Sequence, residues 1–219
     1  MSFIEVTGEE YTKRLEDRLQ GKTEEVTWLR QFRKLLLPYL KPGTTMIDIG
    51  CATGYAFNSF SQFRIKYLGV DFEKEYIDIA RKWFKDEPRA NFLLHDIAKE
   101  PLSFPFPQAD IVICSGTLEH CASMMPALKN IIKAAKSIVM LRTFIGPGRI
   151  NSEKRSLVPG YEDHFKYYNQ YSHKEIIDAF IGMGFSEIQI FPDEYTNGQM
   201  IYVEEQGRYV RVVMAKKPE

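Results

Sequence analysis

Between residues 45 and 141, five short apolar runs alternate with stretches of helical spacing, and this alternation leaves few architectures open. The runs are 45–49 (TMIDI), 67–70 (YLGV), 91–94 (NFLL), 110–114 (DIVIC) and 137–141 (SIVML). All are strand-sized. Helical patterns are expected after the first run to about residue 63, over 74–85 (KEYIDIARKWFK) and over 126–136. Strands joined through helices run parallel, with helices covering the sheet. The unbroken apolar character of SIVML suits a strand buried on both faces.

The flanks add helices before this block and strands after it. Residues 9–40 read as two helices broken near Gly21, the second closed by Pro38 and Pro42. The character changes at 142–171, which holds Gly146, Pro147, Gly148, Pro159 and Gly160 without a clear period; a long insert or lid is expected there. A helix over 173–183 stops at Gly184. Residues 185–191 and 208–215 (RYVRVVMA) then read as closing strands, and 200–204 is expected to pair with the latter across the turn 205–207. A chain of 219 residues suits one α/β domain over 1–219, with an N-terminal helical segment at 1–43 and the insert at 142–171.

Charge excludes some partners. Lys plus Arg and Asp plus Glu each total 29, so no net field draws the chain to a polyanion, and nucleic acid is disfavoured. No apolar run reaches the length of a membrane span, and the start, MSFIEVTGEEY, lacks the basic and apolar regions of a signal peptide. Cytoplasm is the expected location. Cys51, Cys114 and Cys121 form no C-x-x-C pair, and His95, His120, His164 and His173 lack ligand spacing, so no metal site is expected. Oligomeric state is left open.

The chemistry gathers at 46–55 (MIDIGCATGY), where a strand gives way to a helix. Gly50 and Gly54 permit positive φ and close backbone approach, as a ligand-cradling turn requires. The dinucleotide pattern G-x-G-x-x-G is not met, because Ala52 takes the second glycine position and Gly54 falls one residue early. Asp48 at the entry would repel a pyrophosphate and welcome a cationic amino-acid head group.

This stretch resembles motif I, (D/E)-x-G-x-(G/A)-x-G, of the class I S-adenosylmethionine-dependent methyltransferases. Three further segments agree in order. Residues 68–71 (LGVD) resemble the second-strand motif, whose terminal acid binds both ribose hydroxyls. Residues 95–97 (HDI) resemble the third-strand motif, whose acid lies near the adenine amino group. Residues 109–115 (ADIVICS), followed by 118–120 (LEH), resemble the fourth-strand motif and the helix after it. The match is firm over 44–141 and loose beyond.

The resemblance implies a three-layer αβα, doubly wound, Rossmann-like fold with a mostly parallel seven-stranded sheet, order 3-2-1-4-5-7-6 and the last strand antiparallel. It implies S-adenosylmethionine as cofactor and S-adenosylhomocysteine as product. Asp48 and the turn Gly50, Cys51, Ala52 and Gly54 would bind the amino-acid moiety. Asp71 would take the ribose, Phe72 the adenine face, Asp96 with Ile97 the adenine edge, and Ser115 would also touch the cofactor. Tyr11 and Arg14 in the first helix would close over the amino-acid part.

Methyl transfer is an in-line displacement, and a base is needed only where the acceptor must lose a proton. His120 and, in the insert, His164 are the catalytic candidates; Glu119 is expected to face another way. The insert also gathers Arg142, Arg149, Lys154, Arg155 and Lys166 with Tyr161, Tyr167, Tyr168 and Tyr171, either as a lid for a polar, anionic acceptor or as a solvated loop. After the fourth strand stands 114–117 (CSGT) instead of an N-P-P-Y-type sequence, which favours an O atom or aliphatic amine of a small or medium-sized acceptor. Two other readings share the sheet: a non-catalytic S-adenosylmethionine-binding regulatory protein, and a nicotinamide-dependent oxidoreductase, against which Ala52 and Asp48 argue.

Overall fold

The computed structural model describes residues 9–99, 101–102, 108–155, 165–203 and 205–218. Helices α1 (Glu9–Leu19) and α2 (Thr27–Leu36) come first, separated by a turn in which Gly21 has φ +68. Then follow β1 (Thr45–Ile49), α3 (Ala56–Phe60), β2 (Lys66–Asp71), α4 (Lys74–Trp83), β3 (Ala90–Leu94), β4 (Ala109–Ser115), α5 (Met124–Lys133) and β5 (Ala135–Gly146). The remainder comprises β6 (Glu153–Arg155), β7 (Phe165–Tyr167), β8 (Tyr171–Ser172), α6 (His173–Ile181), β9 (Glu187–Pro192), β10 (Met200–Val203) and β11 (Gln206–Lys216).

Strands β3, β2, β1, β4 and β5 lie side by side and parallel, and β11 adds antiparallel to β5. On its far side β11 pairs with β9, and its first residues pair with β10. With β9 and β11 as the sixth and seventh core strands the order is 3-2-1-4-5-7-6, as expected, and β11 is the strand that runs against its neighbours. The point at which the order reverses lies between β1 and β4, and there the carboxyl ends of the strands open a crevice.

Both sheet faces are dry because neighbouring residues in each strand point to opposite sides. Met46 packs with Phe32, Leu36, Phe57, Phe60 and Tyr67 under α2 and α3. Ile47, one residue on, packs with Val112, Leu128, Val139, Ile176 and Phe180 under α5 and α6. Among the described residues no helix is long and apolar enough to cross a membrane.

The stretch read as an unpatterned insert is partly strand. β5 runs on to Gly146, because β11 supplies a hydrogen-bonding partner as far as Phe144 and β8 pairs with Ile145 and Gly146. Arg142, which interrupts the apolar run, is tolerated there because its Nε donates to the buried Asp193 Oδ2 at 2.7 Å. β6 and β7 form an antiparallel hairpin whose connection, 156–164, lies outside the described residues.

Candidate active site

The turn after β1 is shaped by three left-handed residues in five: Gly50 (φ +75), Ala52 (φ +49) and Gly54 (φ +76). The backbone N–H groups of Gly50 and Cys51 donate to the Val70 carbonyl at 2.8 and 3.1 Å, which ties the turn to β2. A Cβ on Gly50 would stand 1.9 Å from Thr117 Oγ1, and one on Gly54 would stand 2.4 Å from the Phe92 ring. Ala52 accepts the unfavourable conformation because its N–H is held by Asp71 Oδ2 at 2.8 Å. Gly54→Ala is therefore expected to cost about 3 kcal/mol through strain and overpacking. That lowers the melting temperature by roughly 6–12 °C in a chain of this length; an unchanged melting curve would show that the Phe92 contact is soft.

Asp71, the last residue of β2, braces this turn from below. Its Oδ1 accepts the Glu73 N–H at 2.9 Å, so each carboxylate oxygen holds one backbone donor. A carboxylate has about four lone-pair sites, so capacity for two further donors is left. Burial pushes its pKa from 3.8 to about 6, against the pull of those backbone N–H groups. Asp48 is buried among the core residues, where Tyr67 Oη donates to its Oδ2 at 2.6 Å; burial raises it further, to about 7.

Above the turn lies a cavity of about 630 Å³ at the carboxyl ends of β1, β2 and β4. Gly50, Ala52, Asp71, Phe72, Asp96, Ile97, Ser115 and His120 all line it. Asp48, Cys51 and Gly54 do not; Asp48 stands behind the turn, and Cys51 and Gly54 belong to it and set its shape. Phe72 projects about half exposed at the rim. Asp96 accepts from Ala98 N at 3.0 Å and pairs with Lys99 at 3.1 Å. Helix α1 brings Tyr11 and Leu15 onto the wall, and Thr53 Oγ1 donates to the Leu15 carbonyl at 3.3 Å. The Arg14 guanidinium lies instead over the Tyr11 ring, 5.4 Å from its centroid.

The opposite wall is built from two segments distant in sequence. His120 Nδ1 lies 2.9 Å from the Tyr167 carbonyl, and its ring meets the Tyr168 ring edge-on at 5.2 Å. A carbonyl only accepts, so Nδ1 carries the proton and, in the neutral ring, Nε2 does not. Glu119 turns away from the cavity and accepts from Thr143 Oγ1 at 2.8 Å. His164 and Tyr161 fall outside the described residues, as do the side chains of Lys154, Arg155 and Lys166. Arg142 and Arg149 are engaged away from the cavity, with Asp193 and Glu175 respectively.

Some wall residues are given no site role by the sequence: Tyr55, Tyr76, His95, Thr117 and Cys121. Thr117 and Tyr76 carried a signal, since both follow the strand-end motifs by a few residues. Burial first and Glu119 second push the Cys121 thiol up to about 12, which disfavours the nucleophilic thiolate.

Residues 47–138 match the model of a family described as a methyltransferase domain. The uncharacterized methyltransferase YcgJ of Bacillus subtilis is 25% identical over 91 residues, 42% of this chain and 36% of that protein. The ubiquinone biosynthesis O-methyltransferase of Acinetobacter baylyi is 31% identical over 98 residues, 44% of this chain and 40% of that protein. The matched stretch thus spans well under half the length of either relative. A TehB-like methyltransferase from Corynebacterium glutamicum, described as dependent on S-adenosylmethionine, superposes over 96% of this chain and 97% of its own. The TM-score is 0.64 at 18% identity, a likeness of fold. The glycine turn and the strand-end acids thus lie in a stretch that is similar to a methyltransferase domain, and the whole chain shares the fold of that Corynebacterium glutamicum protein.

Proposed function

We propose that this protein transfers the methyl group of S-adenosylmethionine to an O or N atom of a small or medium-sized acceptor. The observation that carries the reading is Asp71, whose carboxylate lines the cavity between the glycine turn and Asp96 with capacity for two more donors. Two ribose hydroxyls fit that capacity; a pyrophosphate does not fit a wall with carboxylates at Asp71 and Asp96. The raised pKa of Asp71, and of Asp48 behind the turn, suits a cationic ligand, which would return both to the charged form.

Bound S-adenosylmethionine supplies an already activated sulfonium methyl, and the protein's share is orientation. The turn Gly50, Cys51, Ala52 and Gly54, with Asp48 behind it, would hold the amino-acid part. Asp71 would hold the ribose, Phe72, Asp96 and Ile97 the purine end, and Ser115, at the end of β4, would also touch the cofactor. His120 would take the acceptor's proton on Nε2, with His164 the second candidate. Tyr11, Tyr167 and Tyr168 would exclude water from the acceptor side. A single cavity of this volume suits a small molecule beside the cofactor.

The test is transfer of labelled methyl from the cofactor to a panel of phenols, carboxylic acids and aliphatic amines, inhibited by S-adenosylhomocysteine. Binding without turnover on any of them would favour the regulatory reading. Affinity should also follow Asp71. Ribose hydroxyls donate to the ionised carboxylate, so affinity for S-adenosylhomocysteine is expected to be flat above about pH 6. It should fall by up to tenfold per unit below that. In the empty protein the sign is opposite for stability: the folded chain holds this proton more tightly than the unfolded one. Asp71 therefore costs stability as pH rises from about 4 to 6. Calorimetric titration from pH 5 to 8 reads the affinity directly, and a flat profile would remove Asp71 from the ribose.

A further inference from the structure

Residues 167–171 form an extended segment gripped on both sides by polar contacts. On one side Tyr168 N donates to the Ser152 carbonyl at 3.1 Å, and Gln170 N to the Ile150 carbonyl at 2.9 Å. Strand β11 adds Arg208, wholly buried, whose Nε donates to the Tyr168 carbonyl at 3.2 Å, and Tyr209, whose N–H donates to Gln170 Oε1 at 3.0 Å. The alternate residues face the other way, as the two-residue period of extended chain requires. They meet the turn that carries His120: Tyr167 offers its carbonyl to His120 Nδ1, and Tyr171 Oη donates to the Leu118 carbonyl at 2.8 Å.

Asn169 stands at the centre of this latch and is only 4% exposed. Its backbone N–H donates to the Glu119 carbonyl and its Nδ2 to the Cys121 carbonyl, both at 2.9 Å. Its Oδ1 accepts the Ser152 N–H at 3.0 Å, which joins the latch to the other side. The carbonyls immediately before and after His120 are therefore both held by one residue. The side chain needs a donor and an acceptor at a fixed separation, which an amide supplies and a carboxylate or hydroxyl at this length does not.

We infer that Asn169 is the positioning residue of His120: it fixes the backbone on both sides of the imidazole, so that Nδ1 meets the Tyr167 carbonyl and Nε2 is kept as the proton-accepting nitrogen. This rests on His120 acting as the base proposed above, and it reaches further by assigning the tautomer to a residue 49 positions away that does not line the cavity. The imidazole would take the acceptor's proton on Nε2 while the acceptor's electron pair forms the new bond to carbon. The carbon–sulfur bond breaks toward sulfur, and the proton leaves later to water.

The experiment is nitrogen NMR of histidine-labelled protein, with labelled-methyl transfer and calorimetry with S-adenosylhomocysteine, on the parent, Asn169→Ala and the isosteric Asn169→Asp. The parent should show His120 with its proton on Nδ1. In both variants the His120 signals should move toward a mixture of tautomers. Methyl transfer should fall at least about tenfold while cofactor-product affinity stays within twofold, which a general loss of folding would not produce. If Asn169→Ala does not fold, Asn169→Asp carries the comparison alone. An unchanged His120 spectrum in a folded variant overturns the assignment. A parent that binds but never transfers, yet whose His120 tautomer responds to Asn169, keeps the positioning and sinks the catalytic reading.

Discussion

Replacing Asp71 with alanine is expected to weaken S-adenosylhomocysteine binding by at least about 100-fold, because two hydrogen bonds to a charged acceptor contribute roughly 1.5–3 kcal/mol each. The same change removes the acceptor of the Ala52 and Glu73 N–H groups. Each stranded donor costs about 1–3 kcal/mol, so the melting temperature should fall as well. Asp71→Asn separates the two effects: it keeps one oxygen for a backbone donor and loses the charge that two hydroxyls need. Calorimetry and thermal unfolding on both variants read affinity and stability independently. Affinity within twofold of the parent in either variant would remove Asp71 from the ligand.

His120→Ala is the complementary experiment, expected to move rate and leave binding alone. General-base assistance is worth about 10²–10⁴-fold, so labelled-methyl transfer should fall in that range. Cofactor-product affinity should hold, since His120 stands on the wall opposite the glycine turn, next to Tyr167 and Tyr168. A variant with the parent's rate would show that the acceptor arrives already deprotonated and that His120 only shapes the wall.

The architecture was legible because it depends on local pattern. Apolar runs of strand length alternating with helices admit a parallel sheet, and the period-two rule places Met46 and Ile47 on opposite faces of it. The turn was legible for the same reason: Gly50 and Gly54 both take positive φ, at contacts where a Cβ would collide. What escaped depends on partners far along the chain. Arg142 reads as a cation for either an anionic acceptor or solvent, but Asp193, 51 residues on, pairs with it. The same blindness hid the latch at 167–171, whose polar residues show no period because their order comes from hydrogen bonds to 118–121, 150–152 and β11. Asp48 shows a subtler limit: spacing put it at the entry to the turn, whereas the pleat aims its carboxylate at Tyr67, behind the wall.

The central claim is that the cavity above the glycine turn takes S-adenosylmethionine, and calorimetric titration of the protein with S-adenosylhomocysteine at pH 7.5 tests it most directly. One equivalent should bind saturably, and reduced nicotinamide dinucleotide should give no heat and no fluorescence change. No heat with S-adenosylhomocysteine, or saturable binding of the nicotinamide in its place, would contradict the account.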